Sequence, residues 1–238
     1  MSLQKEVGFL GENRILSLLP REERSRLTPH LRHVRLPKGK ILYRMDFAVP
    51  HAFFLLDGMV SLVSTTAEGA AVEIGMIGNE GMAGLPLILG SDHSPYDVVV
   101  QLPANALQIG AHALKAEFKR GERLQELLLR YTNFLLVQIA QSASCNRFHT
   151  MEARLCRWLL VSRDRVRSNT VNLTQEFLSH MLGTPRTNVT VIAGNLQKMG
   201  LISYSRGTVQ ILDAQGLEDS SCDCYKLVKR AMGHLRAA

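Results

Sequence analysis

Residues 173–213 read LTQEFLSHMLGTPRTNVTVIAGNLQKMGLISYSRGTVQILD, and the punctuation of this stretch decides the fold of the C-terminal part of the chain. Thr174 precedes a short apolar-periodic run, Phe177, Leu178 and Met181, and is suited to cap the helix they form. Gly183 breaks that helix and supplies the backbone freedom of a tight turn. Thr184 followed by Pro185 reads as an N-cap with proline at the first helical position. The second helix then spans 185–199, with Val189, Ile192 and Leu196 facing inward. Two helices joined by a short turn holding a glycine form a helix-turn-helix. Gly200 stops the second helix, and residues 201–205 and 208–212 form two strands around Arg206-Gly207. That hairpin is a wing.

The first turn of the second helix offers Arg186, Thr187, Asn188 and Thr190 on its outer side. Arg can pair bidentately with guanine, Asn with adenine, and a Thr methyl can meet the thymine methyl. Such a cluster at the start of the second helix is what reading base edges in the major groove requires. Thr174, Gln175, Thr184, Ser203 and Arg206 are expected at phosphates, where contacts orient without reading sequence. A generic pair of helices with a solvated polar face is the plainer reading. Cap, turn, helix and wing agree in order and length against it.

Charge points to the same partner. The chain carries a formal +7. Residues 1–145 hold 15 Lys/Arg against 14 Asp/Glu, whereas 146–238 hold 13 against 7. A basic part attached to a near-neutral one suggests a polyanion-binding half and a half with another task.

Upstream, residues 12–19 read as a helix ending at Pro20, and 21–32 as a second with Pro29 near its end. From 34 to 110 short apolar segments alternate with turn residues. The segments 53–56, 59–64, 72–77 and 97–102 are separated by Asp57-Gly58, Glu68-Gly69, Gly78, Gly81 and Gly90. This spacing predicts an all-β sandwich or roll. Beyond Ala111 the pattern is helical. Leu124, Leu128, Tyr131, Leu135 and Ile139 recur at steps of three and four and define one face of a long helix over about 122–145. A stripe of that length suggests a helix–helix seam and self-pairing, the alternative being packing on the chain's own β unit. A further helix, 152–163, leads through a polar hinge at 165–172 into the helix-turn-helix. The class is α+β, with domains at 1–115 (a double-stranded β-helix, or jelly-roll, sensor), 116–148 (dimerisation helix) and 149–238 (winged helix-turn-helix).

No run approaches the roughly 18 apolar residues of a membrane span, and no signal peptide is legible. The expectation is a cytoplasmic chain without membrane contact. Enzyme fingerprints are missing too: Gly75, Gly78 and Gly81 do not make GxGxxG, and no GxxxxGK[ST], HExxH or GxSxG occurs. No catalytic residue, metal or cofactor is expected. Cys145, Cys156, Cys222 and Cys224 read as ordinary thiols, with a redox-responsive role as the alternative. Cys222-Asp223-Cys224 is too closely spaced for the usual zinc hairpin and lacks a second pair. A ligand-binding module that docks on proteins without touching DNA is a third class, which the basic C-terminal part and the wing oppose.

The chain resembles the Crp/Fnr family of transcription regulators over nearly all its length. The residues carrying the likeness are Gly39, Gly58, Gly69 and Gly78 of the roll, the helix around 122–145, the Leu182-Gly183-Thr184-Pro185-Arg186 turn and Gly200-Leu201-Ile202. The resemblance implies a β-roll of the cyclic-nucleotide-binding type, a long dimerisation helix and a winged helix-turn-helix. It further implies a homodimer on palindromic double-stranded DNA, acting near RNA polymerase, and puts the leading recognition arginine at Arg186. Nucleotide-responsive members follow that arginine with a glutamate and a later second arginine. Here Thr187 and Val191 stand instead, so a different operator is implied.

The family's nucleotide rolls use a Gly-Glu pair for the ribose and an arginine ten residues on for the phosphate. The corresponding stretch is Ala83-Gly84-Leu85-Pro86, with Pro95 at the arginine position; taking Glu80 as the ribose ligand leaves Gly90 there. Moreover, no Lys or Arg occurs from Met45 to Leu114, and a buried phosphate without a cation is costly. The expected effector pocket, around Gly84, Leu85, Pro95 and Tyr96, is therefore degenerate, and cyclic AMP is not the expected ligand. No cysteine precedes Cys145, which removes the family's iron–sulfur pattern. His30, His33, His51, His93 and His112 leave haem as an alternative. An unidentified small effector, or none, remains.

Overall fold

The glycine-punctuated segments pair into two four-stranded sheets, as seen in the computed structural model, which describes residues 10–234. Helices α1 (Arg14–Ser17) and α2 (Arg21–Leu27) come first. Strands β1 (Leu31–Leu36), β2 (Ile41–Tyr43), β3 (His51–Leu55), β4 (Met59–Thr65), β5 (Ala71–Ile77), β6 (Met82–Ala83), β7 (Asp97–Leu102) and β8 (Ala104–Gly110) follow. One sheet has the order β1-β8-β3-β6 and the other β2-β7-β4-β5. β8 is flanked antiparallel by β1, from Leu31↔Ile109 to Leu36↔Ala104, and by β3, from His51↔Gly110 to Leu55↔Ala106. Phe54, Leu55, Leu62, Val100 and Leu107 are buried. This is the expected jelly-roll. The helix expected over 21–32 is shorter: a 3-10 turn at Thr28–His30 closes it and Leu31 is already paired with β8, because strand pairing outweighs the weak helical pattern there.

Helix α3 (Ala111–Phe118) precedes the long α4 (Arg123–Phe148); α5 (Met151–Val166) and β9 (Thr170–Asn172) come next. Then follow α6 (Gln175–Leu182), α7 (Arg186–Lys198), the wing strands β10 (Ile202–Ser205) and β11 (Thr208–Ile211), α8 (Ala214–Asp219) and α9 (Cys224–His234). The polar hinge expected at 165–172 holds β9, which pairs antiparallel with β11 as the third wing strand, Val171 opposite Val209. A three-residue strand needs only its central side chain inside, so it leaves little trace in a sequence. Among the described residues no helix is long and apolar enough to cross a membrane.

Chain contacts divide the protein into two units, one comprising residues up to 63 with 76–136, the other 64–75 with 137–234. In the second, Trp158 is buried, meets Phe177 edge-on at 5.6 Å between centroids, and donates its Nε1–H to Glu73 Oε1 at 2.9 Å. Arg154 donates to the carbonyl of Leu182 at 2.7 Å, tying the end of α6 to α5.

The stripe expected to meet a partner chain is used within the chain itself. Leu124, Leu128, Tyr131 and Leu135 are buried in the single chain, and Ile139 is half-buried. A Cβ added at Gly81 would collide with the Tyr131 ring, and Glu23 accepts the backbone N–H groups of Arg123 and Leu124 at 3.2 and 2.9 Å. Leu124, Leu128, Tyr131 and Leu135 are therefore corrected from partner-facing to core, whereas Ile139 keeps part of its surface outside. The large apolar residues that α4 leaves outside are Leu129, Leu136 and Val137, at 49%, 61% and 38% exposure, and Phe148 at its last position, at 77%. Gly81→Ala is expected to lower stability by about 1–3 kcal/mol through overpacking. Thermal unfolding checks this, and the loss should shrink in a Tyr131→Leu background, where the ring that collides is smaller and movable.

Candidate nucleic-acid interface

The turn between α6 and α7 is built from caps. Thr174 Oγ1 accepts from Phe177 N at 3.2 Å and starts α6. Gly183 ends it in the left-handed region, φ 62°, where a side chain is disfavoured. Thr184, expected as the cap of α7, does not fill that role: Pro185 is the last non-helical residue and no side chain caps the helix. Thr184 is buried, and its hydroxyl accepts from Asn188 Nδ2 at 3.0 Å. Proline lacks an N–H and holds the extended conformation that a cap residue needs, so the cap position moves one residue along. The first-turn N–H groups of α7 thus have no side-chain cap, an arrangement that suits an anionic partner.

Arg186, Thr187, Asn188 and Thr190 are exposed at the start of α7, while Val189, Ala193 and Leu196 hold the helix to the core. Ala193 takes the inward position expected of Ile192, which is half-buried. Gln175 links the two helices: its Oε1 accepts from Thr190 Oγ1 at 3.0 Å and, more loosely, from Arg186 Nε at 3.4 Å. The base-edge candidates are thereby gathered on one solvent-facing turn and partly oriented before any partner arrives.

Thr174, Gln175, Arg186, Tyr204, Arg206 and Gly207 line one open cleft beside this turn. Arg206 and Gly207 have φ of 49° and 77°, as a two-residue hairpin turn demands. For Arg206 that conformation is unfavourable, so the wing tip holds a long cation at a local cost. Ser203 is exposed but belongs to the other face of β10, since side chains alternate along a strand and Tyr204 points to the cleft. Ser203 is not brought to this group. Tyr204 was missed by the sequence reading; strand alternation from the inward Ile202 is the signal that marks it. Its hydroxyl donates to Leu173 O at 2.9 Å, and its backbone N–H donates to Gln197 Oε1 at 2.8 Å, fastening the wing to α7 and to the segment that leads into α6. Burial raises the Tyr204 phenol above its ordinary range, with Arg186 acting in the opposite direction. The phenol therefore stays a neutral donor.

The residues expected to form an effector pocket do not share one environment. Leu85 is buried, Pro95 is exposed and Tyr96 is half-buried. Gly84 packs on its own roll: a Cβ there would stand 2.8 Å from Ala52 Cβ and 3.3 Å from the Tyr43 hydroxyl. That hydroxyl donates to His51 O at 2.7 Å, with Ala83 O at 3.3 Å. Burial, and after it Tyr96, raise the Tyr43 phenol well above its usual range. Glu80, the other ribose-ligand candidate, is buried and accepts from Gly78 N at 3.1 Å. The five histidines considered for haem lie on five different segments of the chain.

Comparison with known proteins bears on both units. Residues 33–120 match the family model of the cyclic nucleotide-binding domain, and residues 153–220 that of the Crp-like helix-turn-helix domain. No curated protein sequence matches the chain. Among solved structures, the c-di-GMP-responsive global regulator CLP of Xanthomonas campestris is similar, with a TM-score of 0.67 at 16% identity, over 82% of this chain and 100% of that one. The FixK2 protein of Bradyrhizobium japonicum gives 0.69 at 13%, over 81% and 98%. A CRP-family transcriptional regulator of Thermus thermophilus gives 0.66 at 18%, over 79% and 96%. Identities this low speak to the fold. Both domain types of a DNA-binding regulator are thus present in their order, and the chain belongs to the Crp/Fnr family of transcription regulators.

Proposed function

We propose that the chain regulates transcription as a homodimer on a roughly palindromic operator, each copy laying α7 in one major-groove half-site. The observation that carries this reading is the exposed group Arg186, Thr187, Asn188 and Thr190 at the start of α7, braced by Gln175. Arg186 is the guanine reader, and Asn188 and Thr190 serve neighbouring base edges. Thr174, Gln175 and Arg206, around the cleft, hold phosphates. RNA polymerase is the partner whose access the bound dimer alters in the cytoplasm.

The second copy pairs through the outer face of α4. Leu129, Leu136 and Ala143 recur every seven residues, with Asn133 and Ala140 between them, and all five are exposed. Such a repeat of apolar and small residues, with one asparagine in the seam, suits a two-helix coiled coil. Two copies related by a two-fold axis match a palindrome with half-site centres about one helical turn apart.

The match of residues 33–120 to a cyclic nucleotide-binding domain favours a nucleotide effector as the rival reading. The absence of Lys and Arg from Met45 to Leu114 weighs against it, as does the tight packing of Ala52 and Tyr43 on Gly84. The effector in this reading is a small molecule without a phosphate, or none.

Selection from random duplexes tests the whole. The purified apo protein should recover a palindrome; recovery only in the presence of a cyclic nucleotide would establish the rival reading, and recovery under neither condition would overturn the function. In the same assay Arg186→Ala should cost about 1–3 kcal/mol and relax preference at one base pair. Arg206→Asn should bind all sequences more weakly and flatten the salt dependence by about one unit, without loss of thermal stability, because asparagine tolerates the left-handed turn. An altered base preference for Arg206→Asn would refute its phosphate role. Leu136→Glu should give a monomer in sedimentation that no longer binds the palindrome cooperatively; an unchanged dimer would place the interface elsewhere.

A further inference from the structure

The fold gathers three cysteines and a histidine that the sequence keeps apart. Cys145 and His149 stand four residues apart at the end of α4, a spacing that puts both on one side of a helical turn. The His149 N–H still bonds to Cys145 O at 3.2 Å, so the turn persists past the last helical residue. Cys222 and Cys224 flank Asp223 at the start of α9, where Tyr225 N donates to Cys222 O at 3.1 Å. This turn brings both thiols to the end of α4. The four ligand atoms, three Sγ and one imidazole nitrogen, lie within 4.8 Å of one another.

The individual separations match the edges of a tetrahedron around a metal. Cys145 Sγ and Cys222 Sγ are 3.5 Å apart, and Cys224 Sγ is 3.4 Å from His149 Nδ1. With zinc–sulfur and zinc–nitrogen bonds of about 2.3 and 2.0 Å, tetrahedral edges are about 3.8 and 3.5 Å. A disulfide needs the sulfurs at about 2.05 Å, and all four cysteines of the chain are free. The three clustered thiols are buried and His149 half-buried.

The surroundings carry positive charge. Arg154 and Arg157 are buried beside the group, and among the described residues neither forms an ion pair with a carboxylate. Arg157 Nε has no hydrogen-bond partner among the described residues. Three thiolates and a neutral imidazole around a divalent cation carry one net negative charge, which answers such guanidinium groups. A cluster of neutral thiols filling an apolar gap would leave the buried cations without a counter-charge.

We propose that Cys145, His149, Cys222 and Cys224 form a structural zinc site that joins the end of α4 to the C-terminal helix α9. Four protein ligands complete the tetrahedron and leave no open position, as in structural rather than catalytic zinc sites. The expectation of no metal rested on Cys222 and Cys224 taken alone; the second pair is Cys145 with His149, a Cys-x3-His step on another helix. Gln141, whose Nε2 donates to Cys224 Sγ at 3.0 Å, supports one ligand from outside the four.

The full-length protein, purified anaerobically under reducing conditions, should contain one zinc per chain by plasma mass spectrometry. After removal of zinc by a chelator, titration with Co2+ alone should give a thiolate-to-cobalt charge-transfer band and the intense visible bands of a tetrahedral site, saturating at one equivalent. Thermal stability should fall on chelation and return with Zn2+ but not Mg2+. Cys222→Ser and His149→Ala should each weaken Co2+ binding by more than about tenfold, whereas Cys156→Ala, whose thiol lies outside the group, should leave it intact. If the cysteine variants do not fold, the wild-type measurements still decide. Reduced wild-type protein with no zinc and no tetrahedral cobalt spectrum overturns the proposal, and so does recovery of a Cys145–Cys222 disulfide in chains that bind neither metal once reduced.

Discussion

Which way the 26-residue helix α4 turns its faces is set by one close approach: the Tyr131 ring occupies the space that a side chain at residue 81 would need. Because interiors are packed to crystal-like density, a ring seated on a glycine fixes the rotation of its helix about its axis. Leu124, Leu128 and Leu135 follow Tyr131 inward at helical spacing, and the carboxylate of Glu23 takes the N–H groups at the start of the helix. Everything on the far side is then committed to the outside, including Leu129 and Leu136. An apolar face left in water along several turns is what a symmetric partner can cover, so the packing that consumes one stripe creates the other.

The start of α7 shows a comparable economy. Gln175 sits in the first turn of α6, yet its side-chain oxygen is the acceptor for Thr190 and Arg186 on α7. A long side chain held near its working position loses less entropy when it meets a base. The Arg186 contact, at 3.4 Å, is weak enough to give way to a better acceptor, whereas Tyr204 anchors the wing through two good hydrogen bonds. The fixed parts of the surface are thus the wing base and the turn, and the adjustable part is the arginine. The left-handed conformation at Arg206 fits the same division: a glycine or asparagine there would suit the backbone better, yet an exposed cation stands there beside the cleft.

The helix-turn-helix was legible because its signals are local: Thr174, Gly183 and Pro185 stand at fixed offsets and each has a backbone reason to be there. The jelly-roll was legible from glycine turns between short β-branched segments, although β1, β2, β6 and β8 were not recognised in detail, being set by pairing with distant partners. The α4 stripe shows the limit of periodicity. Helical spacing says that Leu124, Leu128, Tyr131 and Leu135 share a face, but not what covers it, and here the chain covers it. Thr184 and Ser203 show a finer limit, since both are polar and close in sequence to the site. One is buried, with its hydroxyl accepting from Asn188, and the other lies on the outer face of its strand.

The cysteines mark the far end of that scale, because the information lies wholly in the tertiary structure. Cys145 and Cys222 are 77 residues apart, and the segment between them contains α5, the helix-turn-helix and the wing. The entropy removed from an unfolded chain by a cross-link grows with the loop it closes, so a clamp at this position acts on the whole DNA-reading unit at once. It shares no residue with the cleft of Thr174, Arg186 and Arg206. A tie of this kind can raise the stability of the unit without touching the exposed side chains at the start of α7. That separation suits a protein whose recognition residues are kept partly loose, since their freedom to adjust then rests on a scaffold held elsewhere.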